Sequence, residues 1–316
     1  MNDLNNPTGT TGLVAIDKRG LHALWLDPVS YEIQDSLALT ARPHELAISA
    51  DHKLAYVSIY GLGVYGNNNQ PGKTIVVLDL AARKQVGEID VSPYFAPHGL
   101  MLGPDGLLLY ASCDQAGAIA VIDCVEGKIV GAIDAQSTGA HMIAMLPDGS
   151  KIYSENEEDV FVGVMDPASQ QMTAKVPLPG GAAGICASAD GTQVYVVTLD
   201  EPALAVIDTA SDTLVRRVRL ADSTIAAQRV RCSPDGRFVA VTNADESLVT
   251  VLNADLSSQT TFPVATAPMG VAFHPDGKTM LVGNHGAGKI TVVDLEAAAL
   301  IREFDAGVGV ETLAFY

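Results

Sequence analysis

The segment SPDGRFVAVTN, residues 233 to 243, sets a Pro-Asp-Gly turn against an apolar run, and the chain repeats it. The echoes are HPDGKTMLVGN (274 to 284), LPDGSKIYSEN (146 to 156), GPDGLLLYASC (103 to 113), SADGTQVYVVT (188 to 198) and SADHKLAYVSI (49 to 59). Proline presets φ and glycine accepts positive φ, so the motif is turn chemistry between two strands. The turn aspartates are Asp51, Asp105, Asp148, Asp190, Asp235 and Asp276, spaced by 54, 43, 42, 45 and 41 residues. A period of this length denotes stacked supersecondary units.

Outward from the turn, a unit contains an apolar strand (HELAIS), the turn, a second strand (KLAYVSI), a third (TIVVLDL) and a fourth (QVGEIDV). Four antiparallel strands per ~40 to 45 residues is the signature of a propeller blade. Helical periodicity is missing, Leu295 to Ile301 being the nearest candidate and too short. A seventh blade comes from the two ends: VETLAF (310 to 315) repeats the innermost strand, while GLVAID (12 to 17), HALWLD (22 to 27) and EIQDSLAL (32 to 39) supply the other three. The expected fold is an all-β, seven-bladed β-propeller over residues 1–316 as a single domain, with blade seven shared between 310–316 and 12–39. Closing the ring removes open sheet edges.

The runs AVTN (240 to 243), LVGN, YVSI and YVVT after S/H-P-D-G, followed by a V-x-V-h-D pattern, resemble the YVTN-type seven-bladed β-propeller repeat family. The resemblance covers nearly the whole chain, although YVSI and YASC lack the motif asparagine. It implies the fold. Members include lactonase-like enzymes, surface proteins and subunits of redox enzymes, so it does not choose an activity.

Lys and Arg number 19 against 37 Asp and Glu, a formal charge of −18 that would repel nucleic acid and anionic lipid. No apolar run is long enough to span a bilayer, and MNDLNNPTGTTG lacks the basic and apolar parts of an export signal. Cys113, Cys124, Cys186 and Cys232 show no C-x-x-C spacing and are expected as free thiols, which favours a cytoplasmic setting. The oligomeric state is left open.

Two nucleotide motifs fail on context. GLGVYG (61 to 66) and the downstream Gly72, Lys73 and Thr74 run into a strand, where a phosphate site needs a helix N-terminus. No H-E-x-x-H, G-x-S-x-G, C-x-x-C-H or Ca²⁺ loop is present, so chemistry must be assembled across blades.

Seven residues before each turn aspartate stand His44, His98, His141, Ala183, Gln228 and Met269, with Glu311 at the equivalent place in blade seven. Around the closed ring, Glu311, His44, His98 and His141 are consecutive. Three imidazoles and a carboxylate suit a divalent transition metal, whether Zn, Fe, Mn, Ni or Cu. Open positions facing the channel would leave room for catalysis. Second-strand exits lie at the same end of each blade and bring Tyr60, Asp114, Glu157 and His285 to the rim as candidate proton-transfer groups. The insertion YGLGVYGNNNQPGK (60 to 73) is expected as an irregular lid, because its Gly and Asn content disfavours helix and strand. Tyr94, Phe95, Gln228 and Met269 are expected near a small-molecule substrate, with Arg229 close by but on the other side of its strand. The acidic run ENEED (155 to 159) is expected as a solvated loop. These features anticipate a metal-dependent lyase or lactone hydrolase acting on a small oxygenated molecule. A non-enzymatic propeller binding a protein or small ligand on its top face is the alternative.

Overall fold

A computed structural model describes residues 10–137 and 139–316. The stretch before residue 10, read above for an export signal, lies outside them. Seven sheets of four antiparallel strands form the ring, and one short 3-10 turn at Asp114–Ala116 is the helical content among the described residues. No helix there is long and apolar enough to cross a membrane.

Closure is as expected from the chain ends. Val310–Phe315 pairs with Leu13–Asp17, which pairs with His22–Leu26 and then Ile33–Ala38. Third strands are mostly buried, as in Ala118–Asp123, apart from the extended Pro71–Asp79 of blade one, and fourth strands are largely exposed, as in Ile33–Ala38. This gradient follows position, because inner strands are covered by neighbouring blades and outer ones face water.

The core is divided into seven apolar clusters, one for each contact between successive blades. Trp25 and Val14 of blade seven meet Leu46 and Val57 of blade one, while Leu13 and Leu24 meet Leu281 and Ile290 of blade six on the other side. Blade seven is therefore packed on both flanks although its strands come from opposite chain ends. Burial on this scale, at ~25 cal/mol per Å² of apolar surface, is what holds the ring.

Two expectations are corrected. Cys186 and Cys232, on the inner strands Ala182–Ala187 and Arg229–Cys232 of blades four and five, form a disulfide, leaving Cys113 and Cys124 free. The compartment argument from four free thiols loses its premise. The 60-to-73 insertion is a continued hairpin: Leu54–Gly61 and Pro71–Asp79 stay paired out to Gly61 and Pro71, with a Val64–Asn67 bridge at the tip. Asn68, buried, donates to the Tyr60 carbonyl and accepts from Gly63 N, satisfying the backbone that the composition seemed to leave free.

Candidate functional site

Five of the seven equivalent positions are aimed by a repeated irregularity, those of blades three and five having none. Register shifts at Pro43/Leu46, Pro97/Leu100, Ala182/Gly184, Pro268/Val271 and Ile16/Asp17 place His44, His98, Ala183, Met269 and Glu311 at bulges. A bulge re-aims side chains at a strand end, and here it directs the ligand-type residues inward. Hydroxyls on the second strands tie neighbouring blades together at this level. Ser58 Oγ accepts from Glu45 N at 3.0 Å and donates to the His98 carbonyl at 2.8 Å. Ser112 does the same for Gly99 N and the His141 carbonyl, at 2.8 and 2.7 Å, and Thr242 donates to the Met269 carbonyl at 2.9 Å. Blades six and seven approach so closely that a Cβ on Gly270 would stand 2.4 Å from the Glu311 carbonyl oxygen.

His44, His98 and His141 form a contiguous buried row, with ring centroids 3.8 Å apart for the first pair and 4.4 Å for the second. Burial disfavours the imidazolium, lowering His44 and His141 to about 4 and His98 well below its usual value. All three are therefore neutral at pH 7. Neither ring nitrogen of His98 has a hydrogen-bond partner among the described residues. His141 Nδ1 lies 3.2 Å from Glu155 Oε1, and burial holds the Glu155 carboxyl well above the usual carboxylate range.

Glu311 is engaged by Lys18, Arg229 and His285. Lys18 Nζ is 3.1 Å from its Oε1 and 2.7 Å from His44 Nε2, Arg229 Nη2 is 3.4 Å from Oε1, and His285 Nδ1 is 2.9 Å from Oε2. Burial works to raise this carboxyl, but Lys18, His44, His285 and Arg229 outweigh it and hold it well below its usual range. Glu45 is treated similarly: burial raises it, while Arg229, 2.9 Å away, and His44 prevail and hold it at about 2. Two cations and two carboxylates thus balance at the channel mouth.

The remaining sequence candidates separate into those at the ring and those away from it. Tyr60 touches both His44 and His98, at centroid distances of 5.6 and 5.4 Å, and donates to Asp114 Oδ2 at 2.6 Å. Burial raises Asp114, and burial together with Asp114 raises Tyr60. Tyr65, at the tip of the insertion, lies 4.6 Å from His141 and donates to Glu158 Oε2 at 2.6 Å, spanning from blade one to blade three. Glu157 is exposed. Tyr94 packs into the apolar cluster between blades one and two, and Phe95 is half-buried nearby in sequence. Gln228 is taken up within its own blade, accepting from Ala244 N at 2.6 Å and donating to the Ala226 carbonyl at 3.2 Å. Met269 lines the axial cavity. Arg229 corrects its expected direction, since its guanidinium turns into the channel onto Glu45 and Glu311.

As the side chains stand, no group of three or more His, Cys, Asp or Glu among the described residues is arranged to hold a metal ion. The ammonium of Lys18 occupies the space between His44 and Glu311.

No protein-family model and no curated protein matches the chain. Its fold is shared with solved structures. Kuenenia stuttgartiensis hydrazine synthase superposes with a TM-score of 0.79 at 20% identity over 92% of this chain and 93% of that one. A functionally unknown protein from Desulfotomaculum acetoxidans gives 0.79 at 15% identity, covering 97% and 99%. The periplasmic gluconolactonase of Pseudomonas aeruginosa gives 0.79 at 18% identity, covering 96% and 98%. At these identities the likeness establishes the propeller and nothing of its chemistry.

Sequence reasoning missed Lys18, Glu45 and Glu155. Glu155 was within reach, because it stands seven residues after Asp148, the position that carries Ser58, Ser112 and Thr242 in other blades. Read there, the first residue of ENEED belongs to the interior and only Glu157 and Glu158 to the solvated loop. Lys18 had no repeat signal. It follows the second-strand exit of a blade assembled from both ends of the chain.

Proposed function

We propose that the protein is an enzyme acting at the propeller's channel mouth on a small oxygenated organic molecule. Its class is lyase or lactone hydrolase, and His44, His98 and His141 hold a divalent metal there. The observation that carries this is His98, a fully buried imidazole with neither nitrogen bonded, flanked by two other neutral imidazoles. An unsatisfied buried polar group costs ~1 to 3 kcal/mol, and a bound cation supplies the missing partner. Zinc, iron, manganese, nickel and copper all suit the donors. Glu311 becomes a fourth ligand only where Lys18 gives way.

A divalent ion bound there supplies Lewis-acid polarisation of a carbonyl, alkoxide or lactone oxygen. The chain's own groups do the rest. Glu155 Oε1 takes or returns a proton at His141 Nδ1, fixing the tautomer and hence which nitrogen faces the ring. Tyr60 and Asp114 form a buried proton-holding pair beside His44 and His98, and His285 stands at the rim against Glu311. Tyr65 covers His141 and excludes water from that side. The YVTN-type resemblance and the gluconolactonase of like fold support the lactone class by analogy.

A non-enzymatic binding propeller is favoured by a different observation. Lys18 already neutralises Glu311 and bonds His44, so the cluster has a resident cation. Elemental analysis of tag-free protein after incubation with Zn²⁺, Mn²⁺ or Fe²⁺ separates the two. Stoichiometric metal that is lost in His98→Gln and kept in Met269→Ala supports the enzyme. Absence of metal under all three conditions supports the binding scaffold.

A further inference from the structure

On the opposite side of the Glu45–Arg229 pair from the imidazoles, the propeller axis is hollow. A cavity of about 360 Å³ is lined by Glu45 and Arg229 at one end and by Met101, Ile143, Ile185 and Arg231 deeper in. A second cavity, of about 330 Å³, shares Met101, Ile143, Ile185 and Arg231 and continues to Pro147, Ser188 and Pro234 in the turn segments of blades three to five. The two spaces form one channel open at the Pro-Asp-Gly face. None of the three ring histidines lines it.

Arg231 stands where the two cavities meet. It has no hydrogen bond and no ion pair among the described residues, unlike Arg229, which is held by Glu45 and Glu311. Its side chain is exposed, with its surface presented to the channel, whose wall beyond Glu45 and Arg229 is mainly apolar. Being enclosed by protein lowers its hold on the proton, yet a guanidinium stays charged. Glu45 is within electrostatic reach but is already paired with Arg229. At the open end, Asp190 and Asp235 are bonded into their own turns, through Thr192 N at 3.0 Å and Arg237 N at 3.1 Å, with Arg237 Nε 2.7 Å from Asp235. The guanidinium is left free to bind whatever enters the channel, and its planar fork of donors matches a carboxylate.

We infer that the axial channel is a second ligand site, which takes a small monocarboxylate with an apolar tail. The carboxylate accepts from the Arg231 guanidinium, and the tail lies against Met101, Ile143 and Ile185. One unpaired cation beside Glu45 matches a single negative charge, and it disfavours a dianion such as phosphate. The apolar wall disfavours a bare inorganic anion. The inference is independent of any metal at the imidazoles.

Calorimetric titration of the full chain with hexanoate tests it, with hexanol and chloride as controls. Hexanoate is expected to bind, and Arg231→Gln is expected to weaken it roughly tenfold or more, the size of a lost charge-assisted hydrogen bond. His98→Gln should leave hexanoate binding unchanged, so a failed metal site does not disturb this outcome. Arg231→Met should lose hexanoate binding in the same way while keeping a Tm close to the parent's, because the side chain is exposed in the channel. No heat with hexanoate, equal affinity for hexanol or chloride, or unchanged hexanoate binding in Arg231→Gln or Arg231→Met would each overturn the inference.

Discussion

Glu155 Oε1 approaches His141 Nδ1 to 3.2 Å inside the ring, and burial drives both groups towards their neutral forms, His141 to about 4 and Glu155 well upwards. In that state the carboxylic acid donates to Nδ1, and the imidazole carries its own proton on Nε2. Were His141 to hold a cation at Nε2, the proton there would be displaced and Glu155 would be left as a carboxylate accepting from Nδ1–H.

Metal affinity is therefore expected to rise with pH through this pair. Glu155→Gln should weaken metal binding by about 10- to 100-fold, the range for loss of a hydrogen-bond partner behind a ligand. Isothermal titration of the parent and variant at several pH values checks this. Equal affinity in both would separate Glu155 from the site.

Lys18→Met leaves Glu311 short of a cation in a buried network, which costs about 3 to 5 kcal/mol. If the cluster is a metal site, adding Zn²⁺ should restore much of the lost Tm, since the ion takes the seat of the ammonium. Thermal scans with and without metal measure it. A Tm that stays low at saturating metal would favour the binding scaffold.

In chelator-treated protein, the three imidazoles are neutral when folded and titrate near 6.5 when unfolded. The unfolded chain then binds more protons, so stability is fully present above about pH 6.5 and falls as pH drops towards about 4. Glu155, raised in the folded state, works in the opposite sense by one proton. His98→Gln should flatten the slope in this window by about 1.4 kcal/mol per pH unit. Urea unfolding between pH 4 and 7 reads it, and an unchanged slope would mean that His98 is not buried neutral.

Tyr65 joins the insertion of blade one to Glu158 of blade three across His141. Tyr65→Ala should open this cover, speed hydrogen exchange at residues 60 to 73 and lower kcat/KM on a lactone substrate, with Tm nearly unchanged because Glu158 is exposed. Exchange rates equal to the parent's would show that the hairpin stands by itself.

Removing Val310 to Tyr316 takes away the innermost strand of the closing sheet together with Leu313 and Val310 of its core. The exposed edge of Leu13–Asp17 should make the truncated chain insoluble or markedly less stable. A melting curve like that of the full chain would contradict closure by the two ends.

Six recurring turn aspartates, alternating strands and a final inner strand that repeats the pattern were legible in the residues, because hairpin chemistry and the two-residue strand period are local. The same period aligned His44, His98, His141 and Glu311 before any coordinates. What alignment could not supply is distance and direction. In blade five Arg229 enters the channel, drawn onto Glu45 and Glu311, while Gln228 folds back on its own blade. Lys18 meets Glu311 across 293 residues of chain. Cys186 and Cys232 are joined because neighbouring inner strands bring 46 residues of separation to bonding range. The sequence by itself determined the repeat, the sheets and the level of the ring, all set within one blade. Which charges neutralise one another, which imidazole is left without a partner and which arginine stands alone in the channel were decided between blades, where packing rather than local propensity fixes the contacts.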